Sequence, residues 1–186
     1  MPIERSTRRF SSERLTAAAH RLLEASTLCA IATVSPRNRA HVNTAYFAWV
    51  PELDIVWLSD PAARHSRNLR TTPSTAVAVH DSNQVWGKPD RGIQLFGSAR
   101  EAAGALARRA ESEYEARFPA YAGSDVSANV FYRFRAARVK LFDEEALGSG
   151  VFVTARVGRG GRLDLDATEI YVTEDTPEQG VPQRRK

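Results

Sequence analysis

Arg64, His65 and Arg67 fall within one short basic segment, IVWLSDPAARHSRNLRTTPSTAVAV, residues 55–79, which reads as strand, helix, strand. Asp60 is a helix N-cap acceptor and Pro61 suits a first helical position, so the spacing predicts a helix starting directly after a strand that ends at Ser59. Ala62, Ser66 and Leu69 recur at helical spacing and are expected to face a core. That leaves Arg64, His65 and Arg67 outward or toward the strand end. An anion at this helix start would meet open backbone amides, the positive end of the helix dipole and guanidinium forks, which is how a small protein holds a phosphate. A solvated basic helix face fits the same residues, and the segment alone leaves both readings open.

Other chemistries find little support. Cys29 is the only cysteine and lies in the apolar run LCAIATV, which excludes a disulfide framework and points to a buried, inert thiol. His20, His41, His65 and His80 show no H-x-x-x-H pairing, so no metal site is expected. Gly148-Ser149-Gly150 has no strand before it and no helix after it, and is read as a loop rather than a dinucleotide fingerprint. The net charge is +4, but only Lys88, Lys140 and Lys186 are lysines among 26 basic residues, and 22 acids are interleaved with them. No basic stripe with interleaved stacking aromatics is present, so no nucleic-acid partner is expected. The N-terminus MPIERSTRRF lacks the apolar core of a signal peptide and no apolar run approaches a bilayer span. No membrane association is expected, and the sequence reads as cytoplasmic.

The elements that would position the basic segment are mostly strands. Ser11 or Ser12 can cap a helix in which Leu15, Ala18, Ala19, Leu22 and Leu23 form one apolar face. Strands are expected over residues 28–34, 40–50, 55–59, 75–80 and 92–100, a second helix over 101–118 ended by Pro119, and two more strands over 130–135 and 138–142. This pattern predicts a mainly β, α+β fold: a six-stranded antiparallel split β-barrel with peripheral helices. Residues 1–147 are expected to form that domain with its N-terminal helix. Residues 148–172 read as a C-terminal hairpin turning at Gly158–Gly161, and 173–186 as a disordered tail.

The order of these elements and the residues on them resemble the FMN-binding split-barrel family related to pyridoxamine 5'-phosphate oxidase. Four stretches between residues 25 and 145 carry the likeness: CAIATVSPRNRAHVNTAYFAWV, WLSDPAARHSRNLRTTPSTAVAV, RGIQLFGSARE and FYRFRAARVKLFD. The resemblance implies cofactor-binding roles. Arg64 and His65 stand where the family has a phosphate-binding Arg-Lys pair, with Arg67 close by. Leu58 and Ser59 stand where a strand end touches the ribityl and phosphate portion. Asn43, Thr44, Ala45, Tyr46 and Phe47 match the strand whose backbone lies against the flavin ring. Trp86 matches a loop aromatic that often comes from the second subunit, and Gln94 is the candidate for a side chain hydrogen-bonded to the flavin.

The resemblance also implies a homodimer with the cofactor at the subunit interface and Trp86, Tyr46 or Trp49 buried between subunits. The cofactor implied is FMN, with deazaflavin F420 or haem as alternatives, and the substrate a small molecule. The redox chemistry would belong to the cofactor, while the protein binds and orients it. His65 is a weaker phosphate partner than lysine, because it is largely uncharged at neutral pH. Ala48 replaces a lysine of the vitamin B6 oxidase, and that enzyme's C-terminal arginine-rich segment has no counterpart here. The likeness is therefore to the general flavin and F420 group, as an FMN-dependent oxidoreductase, an F420-dependent reductase or a non-catalytic flavin or haem carrier. Tyr46, Tyr132 and His41 are the candidate proton donors, and no catalytic residue is assigned.

Overall fold

Apolar residues at every second position, as in LCAIATV and STAVAVH, build strands with one buried face, and the centre of the molecule is made of them. The computed structural model describes residues 2–80, 83–123, 126 and 128–172. In chain order its elements are β1 (Ile3–Ser6), α1 (Ser12–Ala25), β2 (Leu28–Val34), β3 (Ala40–Tyr46), β4 (Ala48–Trp49), β5 (Ile55–Ser59), α2 (Arg64–Thr71), β6 (Ser74–His80), β7 (Arg91–Glu101), α3 (Ala105–Arg117), β8 (Val130–Asp143), α4 (Glu144–Leu147), β9 (Val151–Val157) and β10 (Leu163–Tyr171). The tail expected to be disordered, 173–186, lies outside the described residues.

Every ladder is antiparallel, and the sheet runs β1-β10-β9-β8-β7-β6-β2-β3, with β5 paired to β4 and to β8. The mainly β, α+β expectation holds. Among the described residues the sheet has ten strands, four more than the six expected in the barrel: the expected C-terminal hairpin, β9 and β10, extends it from β8, the N-terminal β1 adds itself to β10, and the expected strand 40–50 is divided into β3 and β4. The hairpin turns at Gly158–Gly161 as its glycines suggested, with the Gly158 amide donating to the Arg162 carbonyl over 2.7 Å.

The barrel is closed by one bend. Residues 40–50 were expected as a single strand, but the chain breaks at the fully buried Phe47, where it leaves β2 and joins β5. The path β3-β2-β6-β7-β8-β5-β4 thus returns to β3 through that residue. Residues 130–142, read as two strands, form the single strand β8. What looked like an interruption is a β-bulge at Ala137 opposite the Phe96/Gly97 step. Only glycine fits at Gly97, since a Cβ there would lie 1.9 Å from the Arg135 carbonyl oxygen.

Helices plug and brace the barrel. Ser11 caps α1 by accepting from the Arg14 amide, and the five apolar residues expected on its inner face are all buried. The helix expected from Glu101 starts at Ala105, because β7 runs on to Glu101 opposite Tyr132. Arg117, at the end of α3, donates to the carbonyls of Leu23 (2.8 Å), Glu24 (3.2 Å) and Ser26 (2.5 Å) and lies 4.8 Å over the Phe47 ring, tying α3 to the end of α1.

Candidate functional site

The basic segment folds one turn later than its cap residues suggested. Asp60 does not cap α2: its side chain accepts from the Ala62 amide (2.6 Å), and its carbonyl accepts from the Ala63 amide (3.0 Å) and the Ser66 hydroxyl (2.8 Å). These bonds make a turn over residues 60–63, and α2 begins at Arg64 with no side-chain cap. The amides of its first turn are therefore open. The core face of the helix keeps Ser66 and Leu69, as expected. Ala62 is exposed rather than in the core, and His65, expected to point outward, is buried at 7% exposure together with Ser66, Asn68 and Leu69.

The three basic candidates consequently differ. Arg64 is exposed, and its guanidinium has no hydrogen bond or ion pair among the described residues. Arg67 is exposed but Nη1 donates to the Ala62 carbonyl (2.6 Å), while Arg70 donates to the Pro61 carbonyl (2.7 Å); both hold the turn before α2 in place. His65 meets the Tyr132 ring edge to face at 6.3 Å, and Tyr132 stacks on Trp57 at 5.6 Å. Burial, and secondarily the nearby His41, push the His65 pKa below its ordinary value, so it is neutral there, and among the described residues its Nε2 has no hydrogen-bond partner. Burial raises the Tyr132 pKa and pushes the Cys29 thiol up to about 12, which makes the thiol inert as expected.

The remaining candidates sort by strand parity. Leu58 and Ser59 are half-buried where β5 ends beside this turn, opposite Phe131 and Val130. On β3, Asn43 and Ala45 turn inward, and the Asn43 Oδ1 is buried without a partner. Thr44 and Tyr46 turn outward, with Tyr46 58% exposed and edge-on to Phe118. Gln94 on β7 is on that same outer face. Thr44, Ala30, Ala78 and Gln94 form one cross-strand row, and Val42, Ala32, Ala76 and Phe96 form the next. Trp86, on the β6–β7 connection, is 96% exposed, so it does not anchor its loop to its own barrel. Trp49 instead donates from Nε1 to Glu24 (3.2 Å) within its own chain.

Four alanines thus make a shallow floor on the outer face, bordered by exposed Leu28, Val42, Tyr46 and Phe96. Sequence reasoning missed this floor, although alanine at alternate positions of β2 and β6 carries the signal. Beside it β3 is, among the described residues, an edge strand with a ladder only to β2, which leaves backbone donors and acceptors open next to Asn43–Tyr46. The structure brings Ser59, Arg64 and Arg67 together at the start of α2, and Thr44 and Gln94 together on the floor. Among the described residues no group of histidine, cysteine and carboxylate side chains is placed to hold a metal ion.

Residues 15–143 of the sequence match the family described as pyridoxamine 5'-phosphate oxidase. The chain belongs to the pyridoxamine 5'-phosphate oxidase family. A search of the curated proteins finds no match. Among solved structures, this family member is similar to a protein of unknown function from Agrobacterium tumefaciens (TM-score 0.61, 19% identity, 68% of this chain and 55% of that one). It is similar also to a heme binding protein from Mycobacterium smegmatis (0.60, 18%, 87% and 60%). A third likeness is to a protein related to general stress protein 26, of the pyridoxinephosphate oxidase family, from Clostridium acetobutylicum (0.57, 13%, 78% and 96%). At these identities the likeness is one of fold, and the chain spans little more than half the length of the first two. Among the described residues no helix is long and apolar enough to cross a membrane.

Proposed function

We propose that this chain is an FMN-dependent oxidoreductase that works as a homodimer on a small molecule. The observation that carries the reading is the unpaired Arg64 guanidinium at the uncapped start of α2, beside Ser59, in a family that typically binds flavin. The residues fit the group. Arg64 and the first-turn amides of α2 would hold the phosphate, and Arg67 would keep the turn that presents them. The open edge of β3 supplies backbone groups for a heterocycle, with Thr44 and Gln94 flanking the alanine floor. FMN would supply the hydride chemistry, and the protein would bind, orient and shield it.

The homodimer is proposed from the same face. Leu28, Val42, Tyr46 and Phe96 are 48%, 61%, 58% and 41% exposed around a floor of small residues, a surface suited to a second copy that would also cover Trp86. F420 carries a phosphate too and suits Arg64 equally. A haem reading is favoured by one observation, the neutral His65 with its free Nε2, which is the state an iron ligand requires, and by the fold shared with a heme binding protein.

The test is the absorption spectrum of the purified protein, followed by titration of the apo form with FMN, F420 and haemin. Saturable FMN binding that weakens roughly ten- to a hundredfold in Arg64→Ala, the loss of a charge-assisted bond of about 1.5–3 kcal/mol, supports the proposal. A Soret response abolished in His65→Ala moves the protein to the haem reading. Binding of none of the three, or a monomer by sedimentation at micromolar concentration, overturns the site.

A further inference from the structure

A second concentration of arginine lies at the other end of β5. Asp54 precedes that strand and Ser59 closes it, so five residue steps, about 16 Å of extended chain, separate this region from the start of α2. Here a cleft of about 540 Å³ opens between the β4–β5 turn, α3, the middle of β8 and the β9–β10 turn. Arg109, Arg133, Arg135 and Arg159 line it, with Glu52 and Asp54 as its acids.

The charges do not cancel. Arg133 is spent on Asp54, which is 3% exposed: its Nε donates to Oδ2 over 2.7 Å and its Nη2 to the same oxygen. Arg109 is spent on Glu52, 3.3 Å away. Arg135 and Arg159 are exposed and have no hydrogen bond or ion pair among the described residues. Two guanidinium forks therefore remain free on a concave surface from which both acids have been neutralised.

The walls that carry them are fixed by close backbone contacts. Gly161, at φ +80°, packs against the β4–β5 turn so tightly that a Cβ would lie 2.1 Å from the Pro51 carbonyl oxygen. This seats the turn that bears Arg159. On the opposite side Leu53, fully buried, adopts a left-handed φ of 64° that is unusual for a leucine and sets Asp54 on Arg133. Arg135 stands just before the Ala137 bulge, locked by the contact of Gly97 with its own carbonyl.

We propose that this cleft is a binding site for a compact, multiply charged oxyanion, a small molecule bearing phosphate or several carboxylates. Arg135 and Arg159 grip it, and the neutralised Arg133 and Arg109 pairs form the floor and wall. Planar guanidinium forks match either oxyanion in a bidentate way, and two unpaired ones call for at least two negative charges. Among the described residues no aromatic side chain lines the cleft, and its described walls offer no stacking surface for nucleic-acid bases. The site is independent of the cofactor end of the molecule.

Calorimetric titration of the full chain with inorganic pyrophosphate and with citrate, together with amide NMR, tests it. The expected result is saturable shifts at Gly158 and Gly160 with one or both probes, read separately from any phosphate held at the start of α2. In the double variant Arg135→Gln/Arg159→Gln affinity should fall by at least about tenfold, the loss of one charge-assisted bond. Both residues are exposed, and an unchanged urea midpoint verifies the fold. Pyrophosphate preferred over citrate marks the ligand as phosphorylated, the reverse as a polycarboxylate. Arg64→Gln should leave the shifts at Gly158 and Gly160 unchanged. Shifts at Gly158 and Gly160 that survive the double variant, that are lost in Arg64→Gln, or that are absent for both probes overturn the proposal.

Discussion

Ile31, Val77, Leu95 and Val139 point into the barrel from four adjacent strands, and none is more than 1% exposed. One residue away, Ala30, Ala78, Gln94 and Lys140 form the matching row on the outside. The same strands therefore carry two designs. Inside, large branched side chains fill the space against α1. Outside, a sheet facing only water would ordinarily carry polar residues, yet its middle strands carry alanine and its borders carry exposed Leu28, Val42, Tyr46 and Phe96. The inner face is built to hold the protein together, and the outer one is shaped for something to lie on it.

The largest expected effect separates the two directly. Ile31→Ala should cost about 2–5 kcal/mol of stability, read from the urea midpoint, because it opens a cavity in a packed core. Ala78→Trp, on the outer face, should change stability by no more than about 1 kcal/mol while abolishing dimerisation and flavin binding. If Ala78→Trp unfolds the protein as Ile31→Ala does, the outer face is packed by its own chain and the contrast fails. Phe96→Ala should act more mildly, weakening self-association by about 1–2 kcal/mol, roughly tenfold, in a sedimentation experiment. A dimer unaffected by both outer changes would mean that a different surface forms it.

The inner face was far more legible than the outer one. The periodicity of α1 and the alternation in β2 and β6 depend on neighbours in sequence, and those elements appear where the pattern placed them. Helix boundaries failed where one acceptor had two uses: Asp60 is a good cap residue, but it serves a turn ahead of the helix, which leaves Ala62 exposed outside α2. The break at Phe47 depends on which strand pairs with which, and no local signal encodes that. Arg64 points outward as the helical spacing suggested, because its surroundings are the neighbouring residues of its own helix. The arginine cleft was not legible, since Asp54 and Arg133 are 79 positions apart and only the fold of β5 on β8 joins them.

Arg64 and His65 repeat the contrast between outside and inside within one turn of α2, and pH distinguishes them. His65 is buried and its pKa is lowered, first by desolvation and then by the charge of His41 on β3, and its ring meets Tyr132 edge to face. As pH falls through about 6.5, the ordinary histidine value, the unfolded chain takes up this proton before the folded one does. The folded state must then lose stability with acidification, at up to about 1.4 kcal/mol per pH unit, until the pH reaches the lowered folded-state value and the slope vanishes. His65→Asn should remove this component from the pH dependence of the urea midpoint between neutral and mildly acidic conditions, whereas Arg64→Asn, at an exposed position of the same turn, should leave it unchanged. A wild-type slope in His65→Asn would mean that the histidine is solvated in the folded protein. The wall of Trp57, Tyr132 and His65 would then belong to an open pocket instead of the packed interior.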